Sequence, residues 1–351
     1  MIYLGYLLIL ALLLIVEHKS CDFKRFARVA LSIIYSLLIG LRSPTVGVDT
    51  HTYYEHYLQF GNRGCSFIEP GFDFLNQLLY SHGFGPNAFF LIFAIASCYF
   101  IYLAIDRFEG LRYTVAAVFM YTCTFTFLVN GMRQGVACAG LFFAIRFIEE
   151  RRLFSYLLII ISCSLIHASA ILLIPLYFVN RIRISRKLLC YLYATSFLFI
   201  FINVVKYLPA IDIGIRDYSN YIINLRHQEA SSLGFIFSTV LNVIIFLWMC
   251  KSDVIRKYPH IAFATTLAFC LKNVGFNFPI MGRITIYFSW FTYLILAFLF
   301  ISKTSRVTYR TKIILITIIC AMQACIILNA FISPRNKLIP YNFGTHYMLN
   351  K

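Results

Sequence analysis

Arg42, Arg133, His167 and Arg283 are the side chains best placed to act on an anion, because each stands beside a glycine, a proline or a break between apolar runs. Arg133 and Gln134 lie in Asn130-Gly-Met-Arg-Gln-Gly135, between two glycines whose missing side chains let a ligand or a neighbouring helix come close. A guanidinium in such a recess suits phosphate, since its planar fork donates two parallel hydrogen bonds. Arg283 closes the broken stretch Lys272 to Arg283, just before an apolar run. A cation at a helix start opposes the helix dipole, and a bound anion would compensate it. His167 sits between Cys163-Ser-Leu-Ile166 and Ala-Ser-Ala. An ionisable group at membrane depth is a functional candidate, and an imidazole serves as a base or as a cation beside phosphate. Arg42 opens a segment running through Pro44, Gly47, Asp49, Tyr53 and Tyr54, where Pro44 and Gly47 interrupt regular helix and leave backbone groups free.

The elements that must hold these groups are set by composition. Of 351 residues, 60% are hydrophobic and 13% charged, against about 45–50% and about 25% in soluble domains. That excludes a water-soluble globular domain. The net charge of +17 would suggest nucleic acid in a soluble protein. In a polytopic membrane protein it marks cytoplasmic loops instead. Twelve apolar stretches between Ile2 and Ile332 predict an all-α integral membrane protein with about 12 (10–12) transmembrane helices in a single polytopic domain over 1–351. The first stretch, Ile2 to Val16, lacks the charged start and cleavage site of a signal peptide and is expected to be a retained span.

With the N-terminus outside, 20 of the 31 basic residues fall on inner connections and 11 on outer ones, while the 14 acids divide 7 and 7. The long outer segments are then 42–87, 206–232 and 333–351, and a binding surface should face outward. Within 42–87, apolar residues at Phe72, Leu75, Leu78 and Leu79 have the spacing of an amphipathic helix lying on the membrane surface. The stretch Leu153 to Asn180 has basic clusters at both ends, so it is expected to be two short helices or a re-entrant hairpin turning near His167. Cysteine spacing offers neither a disulfide framework nor a metal site.

Leu-Arg42-x6-Asp49-Thr-x2-Tyr53, then Glu69-Pro-Gly-Phe, Asn130-Gly-Met-Arg133-Gln134-Gly135-Val-Ala137, Ser164-Leu-Ile-His167-x-Ser169-Ala170 and Arg283-Ile-x2-Tyr287-Phe288, in that order, resemble the EpsG-like, Wzy-type bacterial polysaccharide polymerases. The likeness covers essentially the whole chain. Ile166 departs from it, standing where an aromatic residue is expected.

The resemblance implies a GT-C-like multispanning fold in the bacterial inner membrane, with periplasmic outer segments and termini. It implies transfer of a growing glycan from undecaprenyl pyrophosphate onto a new lipid-linked repeat unit, in O-antigen, capsule or exopolysaccharide synthesis. Partners would be the lipid-linked oligosaccharides and membrane lipids, together with a chain-length regulator, and not nucleic acid. No cofactor is expected. Arg133 and Arg283, with Arg42 as a third, would stabilise the pyrophosphate leaving group; outer segments lack a tight acidic pair, so metal independence is expected. His167 or Asp49 would take the acceptor hydroxyl proton, with Asp49 alternatively orienting Arg42 or binding sugar hydroxyls. Tyr53, Tyr54 and Tyr287 would contact glycan or serve as interfacial belt residues. Alternatives are an O-antigen ligase, which shares the donor, a flippase or other transporter, for which the chain lacks a convincing internal repeat, and a membrane O-acyltransferase, which the arginine set fits less well.

Overall fold

The computed structural model describes residues 21–63, 69–109, 111–202, 232–278, 281–302 and 307–344. Among them regular structure is helical throughout, with one isolated β-bridge between Arg42 and Phe343. Five helices among the described residues are long and apolar enough to cross a membrane: Pro86–Asp106, Arg112–Asn130, Gly234–Lys251, Met281–Ile301 and Tyr309–Ile332. The chain is a multi-pass, all-α membrane protein. The expected first span and the segment 206–231 lie outside the described residues.

Two compact units are present, Met1–Tyr177 with Gln323–Lys351, and Phe178–Met322. The first contains α1 (Cys21–Gly40), α2 (Thr50–Arg63), α3 (Pro70–Ser81), α4 (Pro86–Asp106), α5 (Leu111–Asn130), α6 (Met132–Glu149) and α7 (Leu153–Ile166), followed by a 3₁₀ helix over Ala168–Arg181 that runs into the second unit. The second contains α8 (Arg186–Ser196), α9 (Leu198–Phe201), α10 (Ser232–Lys251), α11 (Val254–Lys257), α12 (Pro259–Gly275) and α13 (Met281–Ile301); α14 (Tyr309–Ile332) passes from the second unit to the first.

At the centre of the first unit is α6, buried from Gln134 to Ile145 without interruption. A helix buried all round has no polar face to offer, and its sequence, rich in Gly, Ala, Phe and Ile, offers none. Lipid is as apolar as these side chains, so close packing of small residues holds such helices together. Gly140 illustrates this: a Cβ there would overlap Cys163 Sγ on α7. Gly71 on α3 is pressed as closely against α7, where a Cβ would stand 2.9 Å from the Leu165 carbonyl oxygen. Two glycines thus bring α6 and α3 onto α7, and this contact builds the site below.

The chain reverses at His167. Tyr156 OH donates to the Leu173 carbonyl at 2.6 Å, and the Tyr156 and Tyr177 rings lie 5.5 Å apart. A continuous helix would separate Tyr156 from Leu173 by roughly 25 Å, so the expected break and hairpin are present. Elsewhere the structure adds detail to the expectation. Segment 42–87 is mostly helical, with α2 preceding the anticipated amphipathic helix α3. On α3 the buried face is Phe72, Asn76 and Leu79, while Leu78, assigned to the apolar side, is 42% exposed. One of the twelve apolar stretches, Leu188 to Val205, breaks at Phe197 between α8 and α9.

In the second unit α12 and α13 pack side by side, and α13 is buried over most of its length. Asn277 caps α9, its Nδ2 donating to the carbonyls of Phe199 and Ile200 at 3.1 and 2.6 Å.

Candidate functional site

Glu69 immediately precedes α3, with Pro70 at the first helical position, where the fixed proline φ suits a helix start. Its backbone carbonyl accepts from Asp73 N at 3.1 Å. The side chain is buried and reaches two partners. Oε2 pairs with Arg133, and Oε1 lies 3.4 Å from His167 Nδ1 and 3.5 Å from the Ala168 N–H. Burial raises the Glu69 pKa, but His167, Arg133 and the Ala168 N–H outweigh it and hold the carboxyl below its ordinary value.

Arg133 is the second residue of α6, after the non-helical Gly131. A cation in the first turn is disfavoured by the helix dipole, and the Glu69 carboxylate supplies the missing negative charge. The guanidinium carbon lies 5.0 Å from the Phe72 ring centroid and 5.6 Å from that of Tyr53, a setting that favours a cation. Nearby, the His56 ring stacks on Phe72 at 6.3 Å. Burial and the charge of Arg133 lower its pKa to about 4, so it is neutral at physiological pH. His167 has extended backbone, φ −147° and ψ 104°, at the C-cap of α7, its N–H donating to the Cys163 carbonyl at 2.9 Å. The Arg133 and His167 side chains are 15% and 18% exposed.

The structure therefore brings together Arg133, His167 and Tyr53 from the expected set and adds Glu69. Gln134 is buried next to Arg133. The glycines flanking them are filled by protein, since a Cβ at Gly131 would meet the Phe127 ring at 2.8 Å and one at Gly135 the Leu128 side chain at 2.6 Å.

Arg42 is wholly buried and turned to the backbone. It donates to the Ile39 and Val129 carbonyls at 2.6 and 3.0 Å and to Thr50 Oγ1 at 3.0 Å, and lies 4.7 Å from the Phe90 ring. Burial lowers its pKa to about 10, against the raising influence of Tyr341 and Tyr53, so it remains charged at neutral pH and ties the ends of α1 and α5 together. Its segment is closed from above by the tail: Ser43 N donates to Asn342 O at 2.8 Å, Gly344 N to Leu41 O at 2.9 Å, Gly47 N to Lys337 O at 2.8 Å, and Tyr341 OH to Leu38 O. Asp49 is exposed and occupies the N-cap of α2, its carbonyl accepting from Tyr53 N at 3.1 Å.

A family model for EpsG matches residues 25–343. The chain belongs to the EpsG family. Comparison with curated proteins and with solved structures finds no match. Membership points to a glycosyltransferase-like polysaccharide polymerase function. In this EpsG-family protein Arg283 is exposed in the first turn of α13 and Tyr287 is buried one turn further on, both in the second unit. Among the described residues no three His, Cys, Asp or Glu side chains gather as they would around a metal ion.

Glu69 is not among the residues expected to do chemistry, although Glu69-Pro-Gly-Phe is one of the matching motifs. Its signal was an acid directly before Pro70 in an outer segment. The Arg133 that it pairs with lies 64 residues further along the chain, so no local spacing links the two.

Proposed function

We propose that this protein polymerises lipid-linked oligosaccharide repeat units at the periplasmic face of the inner membrane, transferring a growing glycan from undecaprenyl pyrophosphate to a new repeat. The observation carrying this reading is the meeting of Arg133, Glu69 and His167 at the start of α6. It pairs a cation suited to a pyrophosphate with an imidazole suited to a hydroxyl proton. The acceptor oxygen attacks the anomeric carbon of the donor sugar, and the bond from that carbon to the pyrophosphate oxygen breaks. Its electron pair stays on the leaving pyrophosphate, stabilised by Arg133. The hydroxyl proton passes to His167, which later releases it to water.

In this proposal Tyr53, beside Arg133, is a glycan contact, while Arg283 and Tyr287, in the second unit, keep the anion-binding and glycan roles that the resemblance implies. Asp49 and Arg42 are positioning groups, since one stands at the N-cap of α2 and the other spends its donors on two carbonyls and the Thr50 hydroxyl. The charge that a divalent cation would otherwise supply comes from arginine, so turnover by the purified protein should persist in excess chelator.

The deciding experiment is a deletion followed by separation of the surface polysaccharide. A polymerase defect leaves single repeats on their final acceptor and no ladder. Complete absence of repeats would favour an O-antigen ligase, and intact ladders would dispose of both readings.

A further inference from the structure

One carboxylate serves two groups to which the proposed reaction gives opposite work. Glu69 Oε2 neutralises Arg133, the cation proposed for the donor, while Oε1 lies 3.4 Å from Nδ1 of His167, the base proposed for the acceptor. A pyrophosphate arriving at Arg133 must compete with that carboxylate. Once displaced, Glu69 retains His167 and the Ala168 N–H, at 3.5 Å, as its remaining partners. A carboxylate settled on Nδ1 holds the proton on that nitrogen and leaves Nε2 as the acceptor, the tautomer a general base requires.

We propose that Glu69 is a positioning residue that the donor pyrophosphate displaces from Arg133 and that then closes onto His167, so that donor binding prepares the base. This rests on the polymerase reading above. It makes the empty site self-neutralising: before donor arrives, Arg133 is satisfied and His167 is only loosely held. The handover couples the two substrates through a single side chain, without movement of a helix.

The test uses the purified full chain in detergent and inorganic pyrophosphate as probe, followed by calorimetry, with polymerisation of lipid-linked repeats measured in parallel. Glu69→Gln removes the competing charge, so pyrophosphate should bind about tenfold more tightly, as expected for losing one charge-assisted hydrogen bond from the competitor, while polymerisation falls. His167→Gln leaves the released carboxylate without its second partner and should weaken pyrophosphate binding several-fold. A merely structural Glu69 would lower binding and turnover together. Unchanged or weaker binding in Glu69→Gln, or unchanged binding in His167→Gln, overturns the handover while the pyrophosphate site stands, provided Arg133→Ala abolishes binding. Equal binding by wild type and Arg133→Ala overturns the site itself, and the handover with it.

Discussion

Glu69 Oε1 lies 3.4 Å from His167 Nδ1, with the second carboxylate oxygen on Arg133. This relationship joins the start of α3, the start of α6 and the break after α7 at one point. The groups are held there by the seating of two glycines against α7, Gly71 beside Glu69 on Leu165 and Gly140 further along α6 on Cys163.

Removing the charge at Arg133 should be far more damaging than the loss of one surface cation. Arg133→Ala is expected to lower polymerisation by about 100-fold or more, the usual effect of deleting a group aimed at developing charge. Arg133→Lys should recover little, because an ammonium does not reproduce the two-donor fork. Ladder formation in a deletion strain carrying each variant checks this, and normal ladders with Arg133→Ala would remove Arg133 from the mechanism.

Arg42 should behave oppositely. Its guanidinium serves two carbonyls and a hydroxyl inside the protein, so Arg42→Met leaves buried acceptors unsatisfied. We expect a loss of about 2–4 kcal/mol in stability, with turnover per folded molecule largely kept. Thermal unfolding in detergent alongside activity normalised to folded protein separates the two effects.

At Gly140 an added methyl collides with Cys163 Sγ. Gly140→Ala should therefore destabilise the protein by about 1–3 kcal/mol and reduce activity by parting Arg133 from His167. Adding Cys163→Ala removes the sulfur and leaves the Cys163 Cβ at 3.8 Å from the new methyl, so the double variant should regain both. Failure of the second change to rescue would mean that the helix approach is set elsewhere.

Mild acid should loosen this corner. The His56 pKa falls from 6.5 to about 4 on folding, so between these values the unfolded chain binds the extra proton. Stability is then full above pH 6.5 and declines as the pH drops toward 4. The Glu69 carboxyl, also held low, adds a further loss below its ordinary value of 4.5. Unfolding midpoints measured from pH 7 to pH 4 should fall less in His56→Gln than in wild type; parallel curves would rule His56 out as the source.

Legibility in the sequence followed the range of the interaction. The break at His167 was readable because Arg151-Arg152 and the basic group after Asn180 constrain where a 28-residue apolar run begins and ends. Arg42 and Arg133 looked alike, each an arginine at a span end, and only burial against Ile39, Val129 and Phe90 tells them apart. Helix α2 escaped notice because its polar and aromatic residues leave no continuous apolar stripe, its clearest buried anchor being Tyr57. Pairing of Glu69 with groups far along the chain has no local signature at all.

The tail that covers Arg42 has a consequence for biogenesis. Leu38 and its partner Tyr341 are 303 residues apart, and a chain is made from its N-terminus onward. The corner that buries Arg42 must therefore remain unfinished while the chain between Leu38 and Tyr341 is made and inserted, and it closes only after Tyr341 has left the ribosome.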